Sequence, residues 1–461
     1  MSQKREKEIT IPAVGIVDNI VFSNKEAWAY YKIATVPYDF LSGSGRVSVV
    51  NDIMVAFASL VQRAGKNVDI HILVTSTPFN VDSWEEQIFE TYELWNKDMQ
   101  RLSSLDRFVE KQAQALREGD FKKRVTYLGV KLFTRGSLSL NEINIMDFGF
   151  AEAFDFLKKS ISSVLMLPDE NIVDSERKRA KREEEEIYRA IRTGALRGQR
   201  VSSEELLLVM KKTLYPSMPS PYLEVNHDER IGLNDIVMET GAIIEDHRRY
   251  LNVKQMVGDQ EMEGYRATLS FSSFPDGGVM GAPYGAAPFL YKPAMMGLPF
   301  TMNARMTLLP VETMRKDLQK KKLENKDEIK NIEGSGQGYS SSAVDTYWDI
   351  QELDRELSSD RLPWLSGSYR MTVEAPTHEI LSYAIQEIKQ EYAKYGIIVT
   401  WTSGDQLDLM MEEMPGGQLS ANDFVQLTNL AMIAVSGFNF GGTVGDPIDE
   451  QLVISRKEKK R

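Results

Sequence analysis

The sequence predicts an α+β protein: two α/β-layer subdomains with mainly antiparallel sheets, joined by a charged helical segment. Three observations lead there. Short apolar runs with strand character recur in both halves, helical patterns separate them, and Gly- and Pro-rich turns punctuate the whole. A few strands alternating with helices suits helices layered on an antiparallel sheet. Composition places the boundaries: a tail at 1–8, a first subdomain at 9–168, a charged helical linker at 169–221, a second subdomain at 222–448 and a basic tail at 449–461.

In order, Val14–Val17 and Ile20–Phe22 read as a first strand or hairpin arm, and Ala27–Val36 as a strand that Pro37 ends, since proline cannot donate to a ladder. Gly43 and Gly45 mark a turn. Val50, Ile53, Met54, Phe57, Leu60 and Val61 then fall at helical spacing, with Gly65 placed for a left-handed cap. Val68–Val74 is a strand broken at Thr77-Pro78. Ser83 and Glu86 form a capping box for a long helix that runs to Glu118, with a bend or break near Ser103-Ser104. Arg124–Thr134 is a strand, and Phe148–Leu167 a helix stopped by Pro168. The charge block Ser175–Glu186 reads as a solvated helix face, with Arg179–Glu183, Lys181–Glu185 and Arg182–Glu186 four apart. A short helix through Met210 and the Pro216–Pro221 linker follow.

The second half opens with a hairpin at Ala242–Ile244 and Tyr250–Val253, then the clear strand Tyr265–Phe274. Asn303–Leu309 is a strand, Glu312–Glu333 a polar helix, Gly334–Gly338 a flexible break, and Val344–Leu357 helix again. Ser368–Val373 is a strand. Thr377–Tyr395 is an amphipathic helix with Leu381, Ala384, Ile385, Ile388 and Tyr392 on one face, Thr377 as N-cap and Gly396 beyond its end. Ile397–Trp401 is a strand, Leu407–Met414 a helix halted by Pro415-Gly416-Gly417, and Asp423–Val435 a last helix. The succession strand, helix, strand, helix, strand recurs in both halves as an architectural rhyme.

Bulk numbers narrow the function. With 42% apolar and 26% charged residues in 461, the chain has the ordinary make-up of a protein that buries cores. A net charge of −12 argues against a general phosphate-binding face, so direct nucleic-acid contact is not expected. The absence of cysteine removes disulfides, thiolate metal sites and thiol nucleophiles. No run of about 18 apolar residues is present, and Met1–Lys7 lacks a signal-peptide core. The expected place is the cytoplasm, peripherally associated with the cell membrane through partners.

No phosphate-cradling G-x-x-x-x-G-K-[ST] loop exists: the only Gly-Lys pair, Gly65-Lys66, is followed by Asn67 and lacks the earlier glycine. Leu409–Glu413 imitates an acidic magnesium motif, but without that loop it reads as a helix segment. His71, His227, His247 and His378 show no metal-ligand spacing. No catalytic residue, cofactor or metal is assigned. The apolar stretch Gly277–Phe300 reads either as a buried irregular loop or as a protein-contact surface carried by Met280, Tyr284, Phe289, Leu290, Met295 and Met296.

Several landmarks fall in a telling order: Tyr38–Leu41 after the early strands, Tyr127–Val130 after the long helix, Gly404-Asp405-Gln406, Met414-Pro415-Gly416 and Gly445-Asp446-Pro447. In this the chain resembles the amino-terminal region of the CagE/TrbE/TraC-like (VirB-type) conjugation ATPases of type IV secretion systems, without the carboxyl-terminal motor. The resemblance implies a non-catalytic docking module that supports DNA transfer, with Gly404, Asp405, Gln406, Pro415, Gly416 and Gly445 as family landmarks. It implies inner-membrane secretion-channel proteins and a separate P-loop motor as partners, and a homo-oligomer. Three further readings stand beside it: the first half of a split or truncated ATPase, an enzyme of an unrelated class whose site the sequence does not reveal, and an unrelated phage or virion assembly protein.

Overall fold

Antiparallel pairing carries one sheet through both halves of the chain in the computed structural model. It describes residues 10–37, 41–78, 103–118, 122–135, 174–215, 232–238, 242–257, 260–275, 289–290, 300–335, 362–419 and 423–441, with scattered residues at 81–89 and 350–357. The architecture is α+β.

In the first half, β1 (Ala13–Val17), β2 (Ile20–Ser23) and β3 (Glu26–Ile33) form a meander. The chain then passes through the short β4 (Val36–Pro37) and α1 (Gly43–Ala64) to β5 (Val68–Pro78), and β6 (Lys122–Thr134) inserts between β3 and β5. The second half repeats the plan. The strands β8 (Ala242–Asp246), β9 (Leu251–Val257) and β10 (Gln260–Ser273) meander, and β12 (Trp364–Ala375) inserts between β10 and β11 (Phe300–Leu309). The order is therefore β1-β2-β3-β6-β5 followed by its reverse, β11-β12-β10-β9-β8. Antiparallel β5 and β11 pair at the centre, from Val68↔Leu308 to Val74↔Met302. The rhyme heard in the sequence is thus a pseudo-twofold about that central pair.

In each half a helical arm leaves the sheet between the inner two strands. The first contains α2 (Ser103–Glu118), whose Val109 and Ala113 pack with Val81 and Trp84. The second contains α6 (Val311–Ser335), whose Val311, Met314 and Leu318 pack with Ile350 and Leu357, fastened by Lys322–Asp354 at 2.7 Å. Because β5 and β11 run in opposite directions, the arms emerge at opposite ends of the sheet.

Period-2 alternation sorts the strands onto two faces. Ile70, Ile72, Val74, Met302, Ala304, Met306, Met371, Val373, Leu269 and Phe271 make the apolar face. It is covered by α1, by α7 (His378–Ala393) and by α9 (Leu430–Val435). By length and composition α1 is the one helix among the described residues that could cross a membrane, and its Val50, Ile53, Phe57, Leu60 and Val61 lie in this core. Gly65 caps it in the left-handed region at φ 61°, donating its N–H to Val61 O.

The charged segment is not only a solvated face. Its helix α3 (Asp174–Ile191) buries Ala180, Ile191 and Glu184. Glu184 accepts from Arg200 of the short β7 (Gln199–Arg200) at 2.7 and 2.9 Å and from Asn19 at 3.1 Å. Of the four-apart pairs, Arg179–Glu183 forms at 2.8 Å, whereas Lys181 reaches Asp18. The helix expected over Asp423–Val435 is shorter. Gln426–Asn429 forms β14 on the free side of β12 at 364–367, and only then does Asn429, accepting from Met432 N, start α9. Ladder pairing with β12 overrides the helical spacing there. The helix expected at Phe148–Leu167 lies outside the described residues, as does the capping box residue Ser83.

Candidate functional site

The sheet's second face is polar and yet buried. His71 and Thr75 of β5, Thr301, Asn303 and Arg305 of β11, Ser368, Arg370 and Thr372 of β12, and Arg266, Thr268 and Ser270 of β10 share it. Polar groups removed from water must find partners. Many find them in one segment, residues 404–417, which includes α8 (Gln406–Glu413).

Five of the sequence landmarks, Gly404, Asp405, Gln406, Pro415 and Gly416, fall in this segment. Gly404 turns the chain at φ 108° and donates its N–H to Arg248 O. Asp405 occupies the N-cap position of α8 without a side-chain capping bond. The amide of Gln406 then acts as a strand in miniature. On this side β10 pairs with β9 as far as Arg266 and with β13 (Ile398–Trp401) from Leu269 onward, leaving Thr268 between the two ladders. Gln406 fills the gap: its Oε1 accepts from Thr268 N at 2.8 Å and its Nε2 donates to Thr268 O at 3.0 Å.

The acidic pair at the end of α8 is spent on arginine. Glu412 Oε1 accepts from Arg370 Nε at 2.8 Å, and Glu413 Oε2 accepts from Arg266 Nη2 at 2.9 Å. Arg266 also donates to Thr213 O of α4 (Ser203–Leu214), tying that helix to the same cluster. Arg305 differs. Its Nε and Nη2 donate to the main-chain carbonyls of Glu412 and Met414 at 2.8 and 2.9 Å, and among the described residues it makes no ion pair.

Pro415 is buried, and the two glycines after it let the chain lie against the sheet. Gly416 has φ 78°, and a Cβ there would stand 2.8 Å from Val21 Cγ1; one on Gly417 would stand 2.1 Å from Met411 O. Gly416 N donates to Tyr30 Oη at 2.9 Å, and Tyr30 Oη lies 3.1 Å from His71 Nδ1. Burial first, and the Arg305 charge second, push the His71 pKa well down, so the ring is neutral. Burial pushes the Tyr30 pKa up.

The segment therefore clamps Tyr30 and His71 of the first half to β10, β11 and β12 of the second. Its Glu412 and Glu413 carboxylates are engaged by guanidinium groups, and no cluster of three metal-ligating side chains occurs among the described residues. The arrangement is one that holds strands together.

The structure also joins groups far apart in sequence. His247 stacks on Tyr250 at 4.8 Å between ring centres, and His378 meets the same ring at 4.5 Å, on the surface. Of the expected contact residues, Phe289 and Leu290 are interior. Phe289 packs against Phe271, Phe274 and Tyr369 at 5.1–5.6 Å, while Leu290 N donates to Ser436 O and Leu290 O accepts from Arg124. The buried-loop reading describes these two. Met280, Tyr284, Met295, Met296 and the landmark Gly445 lie outside the described residues, as does His227. No protein-family model matches this chain and no curated protein matches it, so the reading of its function rests on sequence and geometry.

Proposed function

We propose that this chain is a non-catalytic docking and assembly component of a conjugative type IV secretion system, acting through protein–protein contacts. One observation carries the reading. The acidic pair Glu412–Glu413, the nearest thing here to a magnesium-holding motif, is buried against Arg370 and Arg266, and the segment that carries it reaches Tyr30 of the first half through the Gly416 N–H. Two helical arms at opposite ends of that sheet add to it. Each exposes a large apolar side chain, Phe108 on α2 and Leu323 on α6, suited to partner contact. In this proposal the partners are inner-membrane channel proteins and a separate P-loop motor, the chain is a homo-oligomer at the cytoplasmic membrane face, and DNA transfer depends on it without direct DNA contact.

The test is co-purification from cells carrying a conjugative element, with wild type compared against a Phe108→Asp/Leu323→Asp variant. Recovery of channel proteins by wild type and their loss in the variant is the expected result. ATP hydrolysis by the purified chain above a no-protein control would overturn the non-catalytic reading.

A further inference from the structure

Among the described residues, Arg305 is the arginine under α8 that forms no ion pair. Arg266 and Arg370 each meet a glutamate, whereas Arg305 meets two main-chain carbonyls and the face of the Trp28 ring, and no carboxylate among the described residues. It is almost wholly buried, and its Nη1 has no hydrogen-bond partner. Its register neighbours share the deficit: His71 on β5 pairs with it on one side and Ser368 on β12 on the other, and His71 Nε2 and Ser368 Oγ are also buried without a partner. A desolvated guanidinium with unused N–H groups favours a carboxylate, which accepts charge-assisted hydrogen bonds.

A cleft of about 240 Å³ reaches this residue. Its walls include Trp28, Thr307, Ser366, Gln418 and Leu419, and the Trp28 ring centre stands 5.4 Å from the Arg305 guanidinium carbon. The cleft is smaller than the roughly 300–1,000 Å³ of ordinary small-molecule sites, so it fits one side chain better than a cofactor. Glu26 also lines it, but one oxygen of Glu26 is held by Lys131 at 2.7 Å and the other by the Trp28 indole N–H at 2.9 Å. Among the described residues that line the cleft, Arg305 is the charged group that meets no opposite charge, so an entering anion meets a positive one.

We propose that this cleft is a carboxylate-binding site, in which Arg305 receives an acidic side chain or a chain terminus of a protein partner. Trp28 and Leu419 cover the apolar stem of the incoming group, while the Ser366 hydroxyl and the Gln418 amide supply neutral donors. The inference rests on the docking role proposed above and names the chemistry of one contact.

Calorimetric titration of the full chain tests it with four probes: acetate, an amidated Gly-Gly-Glu-Gly-Gly peptide, its glutamine counterpart, and a pentaglycine with a free carboxyl end. The glutamate peptide, the free-acid peptide or both should bind at least about tenfold tighter than the glutamine peptide, the worth of one charge-assisted hydrogen bond. The two carboxylate peptides separate side chain from terminus. Ser366→Glu supplies an internal competitor, because Ser366 is the same-face diagonal neighbour of Arg305 across the β11–β12 ladder. It should raise the urea midpoint and weaken carboxylate binding at least about tenfold. Equal binding of the glutamate, glutamine and free-acid peptides, binding of acetate alone, or unchanged binding in Ser366→Glu would each overturn the proposal. None of these results depends on ATP hydrolysis or on recovery of channel proteins, so the docking role and this site fail separately.

Discussion

Changing Glu412 to glutamine removes one charge from the clamp while keeping its shape. Glu412 and Arg370 are 0% and 1% exposed and 2.8 Å apart. At an effective dielectric of about 20, two unit charges roughly 3 Å apart attract by about 5 kcal/mol, most of it offset in the folded protein by the cost of taking both from water. Removing one partner forfeits the attraction and leaves the Arg370 charge buried. The expected loss is about 3–5 kcal/mol. An Arg370→Met/Glu412→Leu double variant removes both charges, so it should lose less than the glutamine single variant, by at least about 2 kcal/mol. Urea unfolding followed by tryptophan fluorescence and far-ultraviolet circular dichroism measures both. A single-variant loss below about 1 kcal/mol, or a double variant less stable than the single one, would refute the view that these charges stabilise only as a pair.

Three further outcomes follow from the same geometry. Gln406→Leu strips the Thr268 N–H of its partner and leaves the Thr268 C=O to the Thr402 hydroxyl, so it should cost about 1–3 kcal/mol in urea unfolding; a loss under about 0.5 kcal/mol would mean another group satisfies that N–H. Gly417→Ala sets a Cβ against a main-chain oxygen, so it should destabilise by more than about 2 kcal/mol and lower the thermal midpoint; an unchanged midpoint would contradict the close approach. His71 has a folded pKa below its unfolded value of about 6.5, so its neutral burial costs nothing above that pH. As pH falls below 6.5 the unfolded chain takes up the proton first, and stability drops by up to about 1.4 kcal/mol per pH unit until the folded pKa is reached. His71→Gln should flatten the stability profile between pH 6.5 and 5 relative to wild type, and parallel profiles would count against a neutral buried ring.

Local signals carried much of the element list. The five residues placed on the inner face of the helix after Thr377, namely Leu381, Ala384, Ile385, Ile388 and Tyr392, are the five that α7 buries, and Thr377 caps it by accepting from Ile380 N. The Gly65 cap was equally legible, because both depend on neighbours within a few residues. Where long-range pairing competes with local preference, the pattern misleads. Asp423–Val435 has helical spacing, but β12 had a free ladder position at 364–367 that Gln426–Asn429 takes. Glu184 looked like one solvated glutamate in a run of four, and only the return of the chain at Arg200 gives it a partner worth burying for.

The amino-acid sequence by itself determined the α+β class, the alternation along each strand and the absence of a phosphate-cradling loop, since each depends on residue type and spacing alone. Alternation says that one face of Arg266–Phe271 or Ser368–Val373 is polar; it cannot say whether water or protein lies against it. That was decided in three dimensions, when a segment 42 to 147 residues further along laid Gln406, Glu412 and Glu413 over the polar face. Pairing partners for buried charge are chosen by topology, and topology is settled by contacts that leave no periodic trace in the chain.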